Sequence, residues 1–342
     1  MSIERVCVVG GGVIGSLYAA HLAQSTETWV LARRAAHAEA LASDGLRVTG
    51  KSDFTASLHA TADESVLPDV GLVILATKAT DVDTAAARLA GRVPSATVMT
   101  IQNGLGAEEM VRAHGERPLL SAVTFMSGVR HGDAHVEYEL DTETWLGPYA
   151  GTTTFERAQE VERLLVDSGL RARAFPDLRP AQWSKLIFNA TVNTVAALTD
   201  LPHVGAFAEV ERPTDLGLLV RDLMDEGKRV AAAAGVELHE DPWEMNVHAV
   251  RRGETEAAAG AYAHVPSMLD DVRSRRPTEV DFITGSLVGE AERVGVPVPL
   301  HTAMYRLVKA REAAYLTGSD PVKNIGSDPV NSQGQTLLRR PE

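Results

Sequence analysis

Over roughly the first 175 residues, runs that are apolar at nearly every position alternate with segments whose apolar residues recur at helical spacing. The runs "RVCVVG" (5–10), "TWVLAR" (28–33), "VGLVILATK" (70–78) and "ATVMTIQN" (96–103) are rich in Val, Ile, Leu and Thr. Such runs suit parallel strands covered on both faces by helices. Between them, "VIGSLYAAHLAQS" (13–25) and "ATDVDTAAARLAG" (79–91) read as helices. Strand–helix alternation of this kind predicts an α/β fold with a doubly wound, Rossmann-type sheet. The later runs "AHVEYEL" (134–140) and "TETWLGPY" (142–149) leave no room for a crossover helix, which predicts an antiparallel hairpin extending the sheet.

After "FPDLRPAQW" (175–183) strand patterns give way to helical ones. "AQWSKLIFNATVNTVAAL" (181–198), "PTDLGLLVRDLMDEGKRVAAAAG" (213–235), "TEVDFITGSLVGEAERVG" (278–295) and "HTAMYRLVKAREAAYL" (301–316) predict an all-α C-terminal domain. The expected boundaries are 1–176 for the sheet domain and 180–317 for the helical one, with a junction near Pro176–Pro180. The remaining 318–342, which carry GSDPV twice, are poor in core residues and expected to be disordered.

Composition narrows the function. A net charge of −13, from 33 basic and 46 acidic residues in 342, argues against a nucleic-acid-binding surface. The single cysteine, Cys7, rules out an internal disulfide and fits a reducing compartment; within "RVCVVG" it reads as a packed strand residue. No run of 18 apolar residues is present, so a soluble cytoplasmic chain with no membrane partner is the expectation. No metal site is expected.

The first candidate chemistry lies in "VCVVGGGVIGSLYAAHLA", where Gly10-x-Gly12-x-x-Gly15 follows a strand and opens a helix. Gly10 would make the tight turn, Gly12 would let backbone approach a pyrophosphate, and Gly15 would let helix and strand pack closely. With Val13 and Ile14 they form a helix N-terminus suited to an anion. At the end of the second strand stand Arg33 and Arg34, where an NAD site usually has an acid. Either cation suits the 2′-phosphate of NADP(H), with Asp81 as a nearby charge of the opposite sign. Lys78 and Asn103 sit at the carboxyl ends of two further strands, where ligands bind in such sheets. Lys78 can neutralise cofactor phosphate; Asn103, in "QNGLG", can contact substrate or the nicotinamide ribose, or simply mark a turn.

The segment "WSKLIFNATVN" (183–193) puts one lysine and two asparagines into an otherwise apolar helix. Lys185, Asn189 and Asn193 are spaced i, i+4, i+8, so they share a narrow face about 12 Å long. A lysine in a partly apolar cleft can serve as a general acid, because desolvation brings its proton affinity toward neutrality. An exposed polar stripe is the bland alternative. In "HVPSMLDDVRSRRPTEVDFITG" (264–285), Ser267 reads as an N-cap, Thr278 with Asp281 as a capping box, and Glu279 as a first-turn carboxylate.

These five motifs occur in the order seen in ketopantoate reductases (2-dehydropantoate 2-reductases), which the chain resembles from residue 3 to about 315. The resemblance implies NADPH-dependent reduction of a 2-oxo acid, as in pantothenate biosynthesis. It implies Lys185 as proton donor, with Asn103 near substrate and nicotinamide. Asn189, Asn193 and Ser267 match substrate contacts, and Glu279 matches a carboxylate that contacts the cofactor. Lys78 and Arg33 match the basic residues around the 2′-phosphate, and Gly128 a further cofactor-contacting position. The helical half offers a surface for a homodimer. Three departures bear on the substrate: "NTVAALT" replaces the usual Asn-Pro-Leu-Thr-Ala, and His203 and His264 stand where asparagines are common. A different small carbonyl or imine substrate is therefore the alternative, and a non-catalytic NADP(H)-binding regulator a second.

Overall fold

The computed structural model describes residues 3–209, 212–258 and 265–316. The expected tail and His264 lie outside the described residues. In chain order the strands are β1 (Arg5–Val9), β2 (Glu27–Leu31), β3 (Leu46–Gly50), β4 (Phe54–Ala56), β5 (His59–Thr61) and β6 (Leu72–Leu75). They continue as β7 (Thr97–Thr100), β8 (Leu119–Thr124), β9 (Ser127–Gly132), β10 (His135–Leu140), β11 (Thr144–Pro148) and β12 (Ala172–Ala174). The main sheet runs β12-β11-β8-β7-β6-β1-β2-β5, and its six central and trailing strands from β8 to β5 are parallel. The four apolar runs are β1, β2, β6 and β7, as their composition predicts. Val6 and Val8 face one core while Cys7 and Val9 face another, all at most 3% exposed. Burial on both faces leaves no position where a polar residue would be favoured. It also pushes the Cys7 thiol up to about 12, so Cys7 is a packing residue.

Strand order reverses between β1 and β6: the chain runs out to β2 and β5, then returns to β6, β7 and β8. That reversal opens a crevice at the carboxyl ends of β1 and β6. The helices of this half are α1 (Val13–Leu22), α2 (Ala35–Asp44), α3 (Val82–Leu89), α4 (Ala107–Ala113) and α5 (Phe155–Asp167).

The expected hairpin is not formed. β10 pairs antiparallel with β9 and parallel with β3, in a separate sheet ordered β4-β3-β10-β9 that packs on α1. β11 instead joins the main sheet, antiparallel to β8. Only residues 141–143 separate β10 from β11, which mimics a hairpin loop. The two strands part because Val136 and Tyr138 pack into the core beside α1, while Thr144 and Leu146 are buried in the main sheet. The hairpin that does form turns at Asp133-Ala134, a two-residue loop preceded by glycine.

The helical half holds α6 (Arg179–Thr199), α7 (Asp215–Ala233), α8 (Pro242–Ala258), α9 (Ser267–Arg273), α10 (Thr284–Val294) and α11 (Pro299–Leu316). Pro180 occupies the first turn of α6, where its missing N–H costs nothing. α6 is the central rod, packed by the other five. At its middle Ile187 touches the bare backbone of Gly227 on α7; a Cβ there would lie 2.6 Å from Ile187 Cγ2. Among the described residues no helix is long and apolar enough to cross a membrane.

Two predicted helix starts are corrected. α10 begins at Thr284, six residues after Thr278, and the capping box is not made. Glu312 on α11 takes the Thr278 N–H at 2.7 Å, and Asp281 bonds Tyr305 and Lys309, so both halves of the box are drawn away. Glu279 therefore lies in a turn ahead of the helix, not in its first turn. Ser267 is the first helical residue of α9, follows Pro266 and makes no capping bond.

Candidate active site

The glycine loop is held by backbone contacts that no side chain could share. Gly10 has φ +103° and sits against the Ala76 carbonyl, where a Cβ would approach to 2.9 Å. A Cβ on Gly15 would come within 1.9 Å of the Gly10 carbonyl, so Gly15 is what lets α1 press onto β1. Gly12, by contrast, faces open space, with nothing within 4 Å of a Cβ built there. It is the N-cap of α1 and has no side chain to occupy the helix end. Val13 and Ile14 follow, half-buried. Gly128 on β9 lies over this start, close to Val13 Cγ1 and tight against the Glu137 carbonyl. Beside the loop, Gly11 is covered by the His37 ring, whose Nε2 is buried with no hydrogen-bond partner. Sequence reasoning missed His37, because a lone histidine three residues past the arginine pair carries no local signal.

The two arginines separate. Arg34 is spent on Asp133 in the β9–β10 turn at 2.5 Å. Arg33 is largely exposed, with its guanidinium 3.8 Å from Asp81 across the crevice. Of the pair, Arg33 is the one that stands at the crevice rim.

Lys78 follows β6, and although its side chain is 43% exposed it is tied to the helical half. Its ammonium bonds Asp271 of α9 at 2.8 Å and lies 3.5 Å from Glu279. Glu279 also accepts the Ala79 N–H at 2.8 Å. Burial works to lower the Lys78 pKa, but the Glu279 and Asp271 carboxylates outweigh it and raise it. Asp271 is buried and is held from its other oxygen by Arg276. It was not foreseen, although its place four residues after Ser267 on the same helical face is a usable signal.

Asn103 follows β7 in a loop pinned to the helical half. Gly104, at φ +92°, lies so close to Phe282 that a Cβ would be 1.9 Å from its carbonyl, and the Leu105 N–H donates to that carbonyl. Gln102 bonds the carbonyls of Leu75 and Thr77, locking the ends of β6 and β7 together. The glycine turn is thus a docking point, and Asn103 is displayed between the halves.

The polar seam of α6 meets this edge. Lys185, Asn189 and Asn193 are 5%, 8% and 5% exposed, so the stripe is buried. Asn189 donates to the Asn103 side-chain oxygen at 3.3 Å. Asn193 accepts from the Met268 N–H at 3.4 Å, which brings it beside Ser267. Lys185 donates to the Thr124 carbonyl at 2.5 Å and lies 5.0 Å from the Phe125 ring centroid. Burial lowers its pKa from 10.5 to about 8, against the opposing pull of Glu279. Desolvation thus brings its proton affinity closer to neutrality than that of an exposed lysine. His203 is buried at the back of this region, bonded to Asn246 at 2.8 Å and edge-on to Phe188.

The arrangement sets an open glycine loop and a buried lysine at the carboxyl ends of parallel strands. Comparison with known proteins agrees with it. The sequence profile described as ketopantoate reductase PanE/ApbA matches residues 6–151, and its C-terminal counterpart matches 177–312. A 2-dehydropantoate 2-reductase of Halobacterium salinarum is 31% identical over 315 residues, covering 89% of this chain and 98% of that protein. The crystal structure of a PanE/ApbA family ketopantoate reductase from Ralstonia eutropha JMP134 superposes with TM-score 0.77 at 26% identity, covering 91% of this chain and 99% of that one. A D-mandelate dehydrogenase solved with NADH and anilino(oxo)acetate shares the fold at TM-score 0.79 and 23% identity, with 91% and 99% coverage. Fold, loop and sequence thus converge, and the chain belongs to the ketopantoate reductase PanE/ApbA family of pyridine-nucleotide oxidoreductases.

Proposed function

We propose that this protein reduces a 2-oxo acid to the 2-hydroxy acid with NADPH, and that Lys185 supplies the proton. Residues 1–176 act as the cofactor domain and 180–317 as the domain that presents the substrate contacts. One observation carries the reading: a lysine 5% exposed, with its pKa near 8, stands on a buried amide-bearing seam at the carboxyl edge of a dinucleotide-type sheet. The open face of Gly12 at an uncapped helix start fits a pyrophosphate, so the loop accommodates the cofactor.

Held by Gly10, Gly12 and Gly15, a reduced nicotinamide dinucleotide would supply the hydride for the carbonyl carbon. Lys185 stabilises the charge that develops on the carbonyl oxygen and then moves its proton there. The C=O becomes CH–OH, and solvent restores the proton to the lysine. Asn189, Asn193 and Ser267 hold the substrate carboxylate through neutral donors. Asn103 faces the nicotinamide ribose and Glu279 contacts the cofactor, while Arg33 and Lys78 favour a 2′-phosphate. Gly10, Gly12, Val13, Ile14, Gly15 and Gly128 line its path. A mere cofactor-binding regulator would have no use for a lysine desolvated at this place.

The relatives' names make 2-dehydropantoate the first substrate to assay, with a different 2-oxo acid as the second reading. His203 favours the latter, since it packs against Phe188 beside the seam. The test is an absorbance assay of ketopantoate reduction with NADPH and NADH in parallel. Lys185→Ala is expected to lower kcat by about 10²–10⁴-fold with little change in NADPH affinity. Equal, small effects on both would sink the proton-donor role.

A further inference from the structure

The third substituent on the substrate's C2 has its own wall, and that wall is aromatic. Phe125 follows β8 directly and lies under the Lys185 ammonium. Phe188 meets Phe125 edge to face at 6.1 Å and 75°, and Trp145 does so at 6.2 Å and 78°. All three residues are half-buried. Their positions are fixed from behind. His203 packs edge-on to Phe188 at 5.9 Å while bonded to Asn246, and the Trp145 indole N–H is committed to Glu143 at 2.7 Å.

Helix geometry divides the substrate among these groups. At about 100° per residue, Asn189 lies about 40° to one side of Lys185 around α6 and Phe188 about 60° to the other. With the carbonyl oxygen at Lys185, the carboxylate falls toward Asn189, Asn193 and Ser267. The remaining substituent is left facing Phe125 and Phe188. We propose that this wall is the side-chain subsite and that the preferred substrate is a 2-oxo acid bearing an aryl group on C2. The proposal rests on the reductase reading above and uses the same hydride-plus-proton reduction.

Two effects push the same way. An aryl ring set edge to face on one or two of these rings gains attraction beyond simple burial, because each ring's positive edge meets its neighbour's negative face. The hydroxyl-bearing side chain of ketopantoate would face rings that accept no ordinary hydrogen bond, with the one indole N–H already used. A hydroxyl shut against them without a partner loses the hydrogen bonds it makes in water. Together these favour the aryl substrate by about tenfold or more in kcat/KM.

The experiment compares phenylglyoxylate, ketopantoate and 3-methyl-2-oxobutanoate with NADPH, on the wild type, Phe125→Leu and Phe188→Leu. The expected result is kcat/KM for phenylglyoxylate about tenfold or more above ketopantoate, with that ratio shrinking several-fold in each variant. Because both substrates are assayed on one preparation, loss of folded enzyme cancels from the ratio. Ketopantoate equal to or better than phenylglyoxylate, or a ratio that neither variant moves, overturns the aromatic subsite and leaves the reductase reading intact. Turnover of none of the three, with NADPH still bound, overturns the reductase reading and this proposal with it.

Discussion

Lys185 reaches across from the helical half and donates to the main-chain carbonyl of Thr124, the last residue of β8, at 2.5 Å. The contact fixes the ammonium at the sheet's carboxyl edge, while burial holds its pKa near 8. As proton donor it must be charged to work. kcat/KM for ketoacid reduction should stay level below pH 8 and fall about tenfold per pH unit above it. A pH–rate profile checks this, and a limb still flat at pH 10 would remove Lys185 from the role.

The same burial makes the lysine a liability for stability. Its folded pKa, about 8, lies below the ordinary 10.5, so between these values the unfolded chain binds more protons. Stability contributed at this site therefore rises with pH across that window, and the cost of the buried charge is full below it. The gap corresponds to on the order of 3 kcal/mol. Lys185→Met is expected to be inactive yet to melt a few degrees higher than wild type at pH 7. Calorimetry showing a clear fall in Tm would contradict this.

Lys78 links the sheet to two carboxylates of the helical half. Lys78→Met leaves the buried Asp271 with Arg276 alone and removes a cation from the crevice. We expect both a lower Tm and a KM for NADPH raised by about tenfold. A Tm loss with unchanged KM would make Lys78 a structural strut only.

Arg33 and Asp81 stand 3.8 Å apart at the rim, and the acid opposes any added negative charge. Asp81→Asn should raise the preference for NADPH over NADH several-fold, and Arg33→Ala should lower it. The ratio of kcat/KM with the two cofactors is the readout; no change in either variant would place the discriminating groups elsewhere.

Gly11 and His37 form a size-matched pair. Gly11→Ala would set a methyl 2.4 Å from His37 Cε1, inside a buried corner. The expected cost is about 1–3 kcal/mol. Adding His37→Ala removes the ring that the methyl meets and should return part of that stability. A double variant no more stable than Gly11→Ala would show that the clash is relieved by other means.

Local pattern determined a good deal by itself. The four apolar runs, the glycine fingerprint and the i, i+4, i+8 seam were all legible because each depends on spacing within a single element. The family could be read for the same reason, since its motifs are short and ordered. What spacing does not carry is the partner. Periodicity marks which face of β10 is buried but not which strand lies beside it, so a three-residue gap to β11 looked like a hairpin. The start of α10 was misjudged because Glu312, 34 residues away, captures the Thr278 N–H. Choosing Arg33 over Arg34 needed Asp133, and finding the acid pair on Lys78 needed a contact 193 residues distant in sequence. The aromatic wall joins a strand end, a sheet edge and a helix, and each of its rings alone reads as ordinary core. In "WSKLIFNATVN" the sequence marked the lysine and its asparagines. Only the tertiary structure set Phe188 of that same segment against Phe125, because a contact between two elements belongs to neither one's pattern.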